Sequence, residues 1–214
     1  MIRFFICAAL VITFFATASP AQDALQTLKL PEPDKTGGKP LMQVLSERHS
    51  SRAFSDQALP PQLLSNLCWA AFGINRPDGR RTAPSARNWQ EISLYLCMAD
   101  GVWLYDAREH ALIRLLREDL RKQTGTQPFV ETAPLNIVYV ADTQKMNTSA
   151  ADDGALYLGA DCGFIAENVY LFCASEGLAV VVRGRVQREE LGQALQLEAH
   201  QRIVLAQTVG YPAN

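Results

Sequence analysis

The chain has 214 residues, 48% of them hydrophobic and 20% charged, with 20 basic against 22 acidic side chains and a net charge of −2. This composition suits one globular domain with its own core and excludes a disordered or collagen-like chain. No basic run stands out, which argues against an electrostatic nucleic-acid binder.

Residues 1–21 read as a secretory signal peptide. Arg3 precedes an apolar run from Phe4 to Ala16, and the small residues Ala18, Ser19 and Ala21 mark the cleavage region. An uncleaved anchor is the competing reading, but the run falls short of the ~20 residues of a membrane span. Export implies a periplasmic or secreted protein in an oxidising compartment, where disulfides are allowed. Beyond the signal lie Cys68, Cys97, Cys162 and Cys173. Cys162 and Cys173 fall on one predicted helix, ~16 Å apart along its axis, whereas a disulfide needs Cα atoms within ~7 Å. With no CxxC and no His/Cys metal spacing, four buried thiols are expected, and disulfide exchange has no motif to rest on.

Residues 22–40 are rich in Pro, Gly and charge and read as an extended arm without regular structure, leading into a domain over 41–214. LMQVLSERHS suits a short amphipathic helix with Leu41, Val44 and Leu45 on one face. Pro60 and Pro61 open a second helix, whose apolar face is Leu63, Leu64, Leu67, Cys68 and Ala71 and whose end is Gly73. A polar loop, NRPDGRRTAPSARN, leads to the strand Ile92–Met98; Asp100-Gly101 then turns the chain into VWLYD as a hairpin. REHALIRLLREDLRKQ carries Leu112, Leu115, Leu116 and Leu120 at helical spacing and is predicted helical. That placement puts His110, like His200 further on, at a helix surface. LNIVYVAD is a buried strand. A long helix follows, capped by Asp152 or Asp153, ended by Gly177 and apolar on nearly all sides, as a central helix would be. VVVRGRV is a strand, QREELGQALQL a short helix and RIVLAQTVGYP a final strand. The order predicts an α+β domain with a mostly antiparallel sheet.

Three polar patches interrupt this pattern. RHSSRAF packs Arg48, His49, Ser50, Ser51 and Arg52 together; guanidinium forks and hydroxyls suit a phosphate monoester, and a solvated helix end is the bland alternative. RTAPSARNWQ offers Thr82, Ser85, Asn88 and Gln90 as neutral donors and acceptors for the polar edge of a heterocycle, on a loop stiffened by Pro84; otherwise it is a surface turn. VVVRGRV places Gly184 between Arg183 and Arg185, where backbone can approach a ligand closely; otherwise it is a sheet edge with solvated arginines.

Taken in order, these patches resemble the nitroreductase family of flavin enzymes, and within it the SagB-type dehydrogenase branch. The likeness runs from about Leu30 to Pro212. It is carried by the LPEP lead with RHSSRAF, by RTAPSARN, by GVWLYDAREHAL, by GFIAENVYLFCASEGLAV and by the closing TVGYP. The resemblance implies an α/β sandwich, an intimate homodimer and an FMN at each subunit interface. Gly159 and Gly163, one turn apart on the long helix, fit a close helix–helix approach by analogy with small-xxx-small packing. By the same resemblance, Arg48, His49, Ser50 and Arg52 match the family's phosphate-binding stretch. Pro84, Ser85 and Asn88 match the stretch touching the isoalloxazine and ribityl chain. Val182, Arg183 and Gly184 match the backbone stretch near flavin N5 and O4, with Arg183 a candidate to stabilise developing charge. Three positions depart from the pattern: no Lys or Arg follows the closing VGYP, Arg87 stands where the branch has Gly, and Glu167 where it has Gln. The implied function is an exported FMN-dependent oxidoreductase acting on a small organic substrate. The alternative is a non-catalytic envelope binding protein with a degenerate flavin site.

Overall fold

The computed structural model describes residues 26–147 and 151–213, with only the backbone for 151–153; the predicted signal peptide at 1–21 lies outside the described residues. Helix α1 (Leu41–Glu47) and helix α2 (Pro61–Phe72) form where the apolar spacing places them. Helix α2 opens on Pro60-Pro61 and stops at Gly73, where a Cβ would run into the Trp69 backbone at 2.7 Å. The strands are β1 (Thr27–Lys29), β2 (Ile92–Met98), β3 (Gly101–Asp106), β4 (Ala111–Leu116), β5 (Leu135–Asp142), β6 (Ala179–Arg183) and β7 (Gln201–Gly210). Between β5 and β6 runs the long helix α3 (Ala151–Glu176), and between β6 and β7 the short helix α4 (Arg188–Ala194). Since α3 begins at Ala151, Asp152 and Asp153 lie in its first turn rather than before it.

The strands form one sheet in the order β1-β4-β3-β2-β5-β7-β6, and every adjacent pair is antiparallel. Period-two alternation splits its side chains between two cores. Leu94, Leu96, Ile137 and Tyr139 join the cluster under α2 and α3, with Leu67, Ile165 and Val169. Tyr95, Cys97, Val138 and Val140 point the other way, against Leu191 and Leu195 of α4 and its loop. Because both faces are covered, β5 is a nearly continuous apolar run, as its sequence LNIVYVAD requires.

Two expectations fail here for one reason. The segment predicted as a helix from Arg108 is a turn, then β4, then a 3-10 turn at Arg121–Thr124. Ala111–Leu116 is paired on both sides, with β3 and with β1. A short Leu-rich run fits either period, and ladder hydrogen bonds on two edges outweigh its helix propensity. The partner on the outer edge is Thr27–Lys29, so the arm over 22–40 contributes an edge strand instead of remaining without regular structure. His110 therefore sits in a turn with φ +45° and not on a helix surface. Its ring bonds Ser65 Oγ at 2.7 Å and Tyr105 Oη at 3.0 Å. The four described cysteines are all free and buried, as expected. Burial pushes the Cys97 and Cys162 thiols up to about 12, which leaves no reactive thiolate at neutral pH.

Candidate functional site

Helix α3 organises the polar patches. Near its C-terminal half the hydroxyl of Tyr170 accepts a hydrogen bond from the Val182 backbone N–H at 2.9 Å and lies 2.8 Å from Ser50 Oγ. The Ser51 N–H donates to the Val180 carbonyl at 2.9 Å, stitching the same stretch to β6. Arg48 is half-buried with its guanidinium 5.2 Å from the Tyr170 ring centre. The fold thus brings Arg48, Ser50 and the Val182–Gly184 backbone to one place. His49 and Arg52 flank them in solvent, and His49 Nδ1 lies 2.7 Å from the Glu47 carbonyl. Gly184 is exposed, and a Cβ there would meet nothing within 4 Å. Tyr170 is the residue that sequence reasoning missed: it reads as one more aromatic on an apolar helix, and only its hydroxyl, aimed at two separate segments, distinguishes it.

Arg183 departs from both readings of its sequence. It is neither solvated nor turned toward this place; it is 5% exposed on the opposite face of β6. Its guanidinium donates to the Thr124 carbonyl at 2.8 Å, Asn136 Oδ1 at 3.0 Å and Thr208 Oγ1 at 3.1 Å. Burial lowers its pKa to about 10. The side chain is a structural cation held by neutral partners, so only the backbone of residue 183 remains available to a ligand at this edge.

The second polar stretch docks further along α3. The Ala86 N–H donates to Asp161 Oδ2 at 2.8 Å, and Ser85 Oγ donates to Glu91 Oε2 at 3.1 Å. Glu91 is fully buried, its Oε1 has no hydrogen-bond partner among the described residues, and its carboxyl neighbour is Asp161, itself 3% exposed. Burial, with Asp161 adding repulsion, raises Glu91 to about 7. This buried acid pair also escaped sequence reading, because Glu91 begins a strand like any polar flanking residue. Above it the loop is unusual: Arg87, Asn88 and Gln90 all have positive φ, at +50°, +57° and +49°. Pro84 and Asn88 are exposed at its crest, whereas Gln90 is spent on Arg81 and Gly79, and Thr82 on the Trp69 carbonyl. The two anchor points on α3, Asp161 and Tyr170, are nine residues and so ~13 Å apart. Pro84, Ser85 and Asn88 are thus anchored about two and a half turns of α3 away from the anchor of Arg48, Ser50 and Val182.

The sequence profile of the Nitroreductase family matches residues 45–211. The chain belongs to the nitroreductase family. A nitroreductase-type protein of Methanocaldococcus jannaschii is 28% identical over 170 residues, covering 75% of this chain and 86% of that one. A crystal structure of a nitroreductase-type protein from Ralstonia eutropha JMP134 superposes with a TM-score of 0.84 at 42% identity, covering 88% of this chain and 90% of that one. The fold extends to more distant proteins: the Escherichia coli microcin synthetase McbBCD complex contains a chain matching with a TM-score of 0.70 at 18% identity, over 94% of this chain and 85% of that one. Nitroreductase membership makes the molecule a flavin-type oxidoreductase in class, and its seven-stranded antiparallel sheet with covering helices is the nitroreductase fold.

Proposed function

We propose that this nitroreductase is an exported FMN-dependent oxidoreductase of a small organic substrate, and that it works as a homodimer. The observation that carries the proposal is the convergence of Arg48, Ser50 and the Val182 backbone on Tyr170, with Arg52 exposed two residues further along the same stretch. The donor set fits a phosphate monoester: two guanidiniums, a hydroxyl and exposed backbone beside Gly184. With the Tyr170 O–H donating to Ser50, the Ser50 hydroxyl hydrogen is left to point outward at a phosphate oxygen. When bound, FMN supplies two-electron redox chemistry by taking and releasing hydride at N5. The chain's own contribution is position: Arg48, His49, Ser50 and Arg52 would hold the phosphate, and the Val182–Gly184 backbone would flank the flavin beside it.

The outer face of α3 supports a second copy as the source of Pro84, Ser85 and Asn88. Leu156 and Phe164 are 67% and 47% exposed there, and Gly159 and Gly163 stand bare between and beside them. Exposed apolar groups in one stripe suit a self-complementary interface. Export is supported by the N-terminal sequence pattern, and no helix among the described residues is long and apolar enough to cross a membrane.

The test is direct. The protein purified after expression with its leader should be yellow, with an absorbance band at about 450 nm from a chromophore that denaturation releases as FMN. A colourless protein that takes up no added FMN overturns the proposal.

A further inference from the structure

The loop between α2 and β2 concentrates positive charge that the flavin reading leaves unexplained. Its stretch NRPDGRRTAPSARN holds Arg76, Arg80, Arg81 and Arg87 against Asp78 alone, in a chain of net charge −2. All four arginines line one cavity of about 440 Å³, together with Ser85 and Asn88. Among the described residues no carboxylate lines it. Asp78 pairs with Arg80 at 3.4 Å and opens instead onto the neighbouring hollow, where Arg108 and Lys145 add further positive charge.

Beyond the Asp78–Arg80 pair, the fold holds the other three cations, Arg76, Arg81 and Arg87, in place with neutral groups. Arg81 donates to Gln90 Oε1 and to the Phe72 carbonyl, both at 2.9 Å, and its guanidinium lies 4.8 Å from the Phe72 ring centre. Arg76 donates to Asn75 Oδ1 at 3.1 Å and to the Arg81 carbonyl at 3.3 Å. Arg87 lies 5.5 Å from the Trp89 ring centre, on backbone of positive φ. Carbonyls, amides and aromatic faces orient a guanidinium without cancelling its charge. Gathering like charges around one hollow costs energy even in water. A bound anion reverses the sign of that term, and the concave wall focuses the field on it.

We propose that this hollow receives the anionic groups of a small molecule carrying at least two negative charges, phosphate or carboxylate. Its place beside Ser85 and Asn88 makes that molecule the substrate or electron donor of the flavin site. The second statement rests on the proposed function; anion binding by the hollow does not.

Calorimetric titration of FMN-loaded protein at low salt, with inorganic pyrophosphate and separately with tricarballylate, tests it. The paired variant R76Q/R80Q removes two exposed guanidiniums, and an unchanged melting curve checks its fold. R117Q/R202Q, at two exposed arginines away from the hollow, controls for the same change in net charge. We expect saturable binding of at least one probe, weakened about tenfold or more in R76Q/R80Q and unchanged in R117Q/R202Q. Pyrophosphate alone assigns a phosphate-bearing ligand, tricarballylate alone a polycarboxylate, and both together a site that reads charge only. No binding of either probe at about 5 mM, or equal affinity in R76Q/R80Q and the parent chain, overturns the inference. The same comparison on flavin-free protein separates the two readings. A chain that never takes up FMN defeats the proposed function, whereas the contrast between R76Q/R80Q and the parent chain still decides this site.

Discussion

Tyr170 holds two segments that are far apart in sequence, since its hydroxyl bonds both Ser50 and the Val182 N–H. Replacing it with phenylalanine keeps the ring under Arg48 and removes only those bonds. One such bond is worth about 1 kcal/mol, and loss of preorganisation adds to it, so Y170F should weaken FMN binding about tenfold with little change in fold. Fluorescence titration of free FMN measures this, and an unchanged affinity would remove Tyr170 from the site. Glu91 makes a pH-dependent contribution. Its pKa rises from 4.5 to about 7 on folding. The folded chain therefore keeps a proton that the unfolded chain releases. Stability is highest with respect to this group below about pH 4.5, falls as pH rises toward 7, and is level above that, by roughly 3 kcal/mol in total. The variant E91Q should flatten that slope between pH 5 and 7 in denaturant melts, whereas an identical slope would show that Glu91 titrates normally. Neither residue was visible as functional in the sequence. A tyrosine on an apolar helix and a glutamate at a strand end are ordinary until the fold buries one carboxyl beside another and aims one hydroxyl at a loop and a strand.

Elements were legible wherever length and punctuation agreed. Helix α2 has Pro60-Pro61 at one end and Gly73 at the other, and the β2–β3 hairpin has Asp100-Gly101 at its turn. Gly101 is required there: its φ is +134°, and any Cβ would collide with the Leu116 carbonyl. Strand β4 shows where local reading stops. ALIRLL satisfies a helical and an extended period equally, and its strand state comes from pairing with β3 and with a three-residue strand more than eighty positions away in sequence. The Arg183 side chain makes the same point within a correctly located strand. A shift of one position in strand phase turns a side chain to the other face, and here that face is the core over Thr124, Asn136 and Thr208.

For the whole molecule, the central prediction concerns association. Leu156 and Phe164 on α3, and Leu41, Met42 and Leu45 on α1, are apolar side chains that the other described residues leave exposed. The substitution F164E places a charge in that stripe and should leave a monomer with reduced FMN retention; light scattering on the parent protein should give twice the chain mass. A parent protein that is monomeric and retains FMN would show that one copy completes the site. The sequence by itself determined the class of the molecule: its α+β layering, its antiparallel sheet, its nitroreductase family and the cationic stretch at Arg48–Arg52. These follow from periodicity, turn residues and short motifs, all of which act over a few positions. Tertiary structure alone decided which of those residues meet. It set Ser50 on Tyr170, buried Arg183 and Glu91, held Pro84–Asn88 ~13 Å further along α3 and gathered four arginines around one hollow. Such meetings depend on side-chain direction and burial across distant segments, and local sequence carries no record of either.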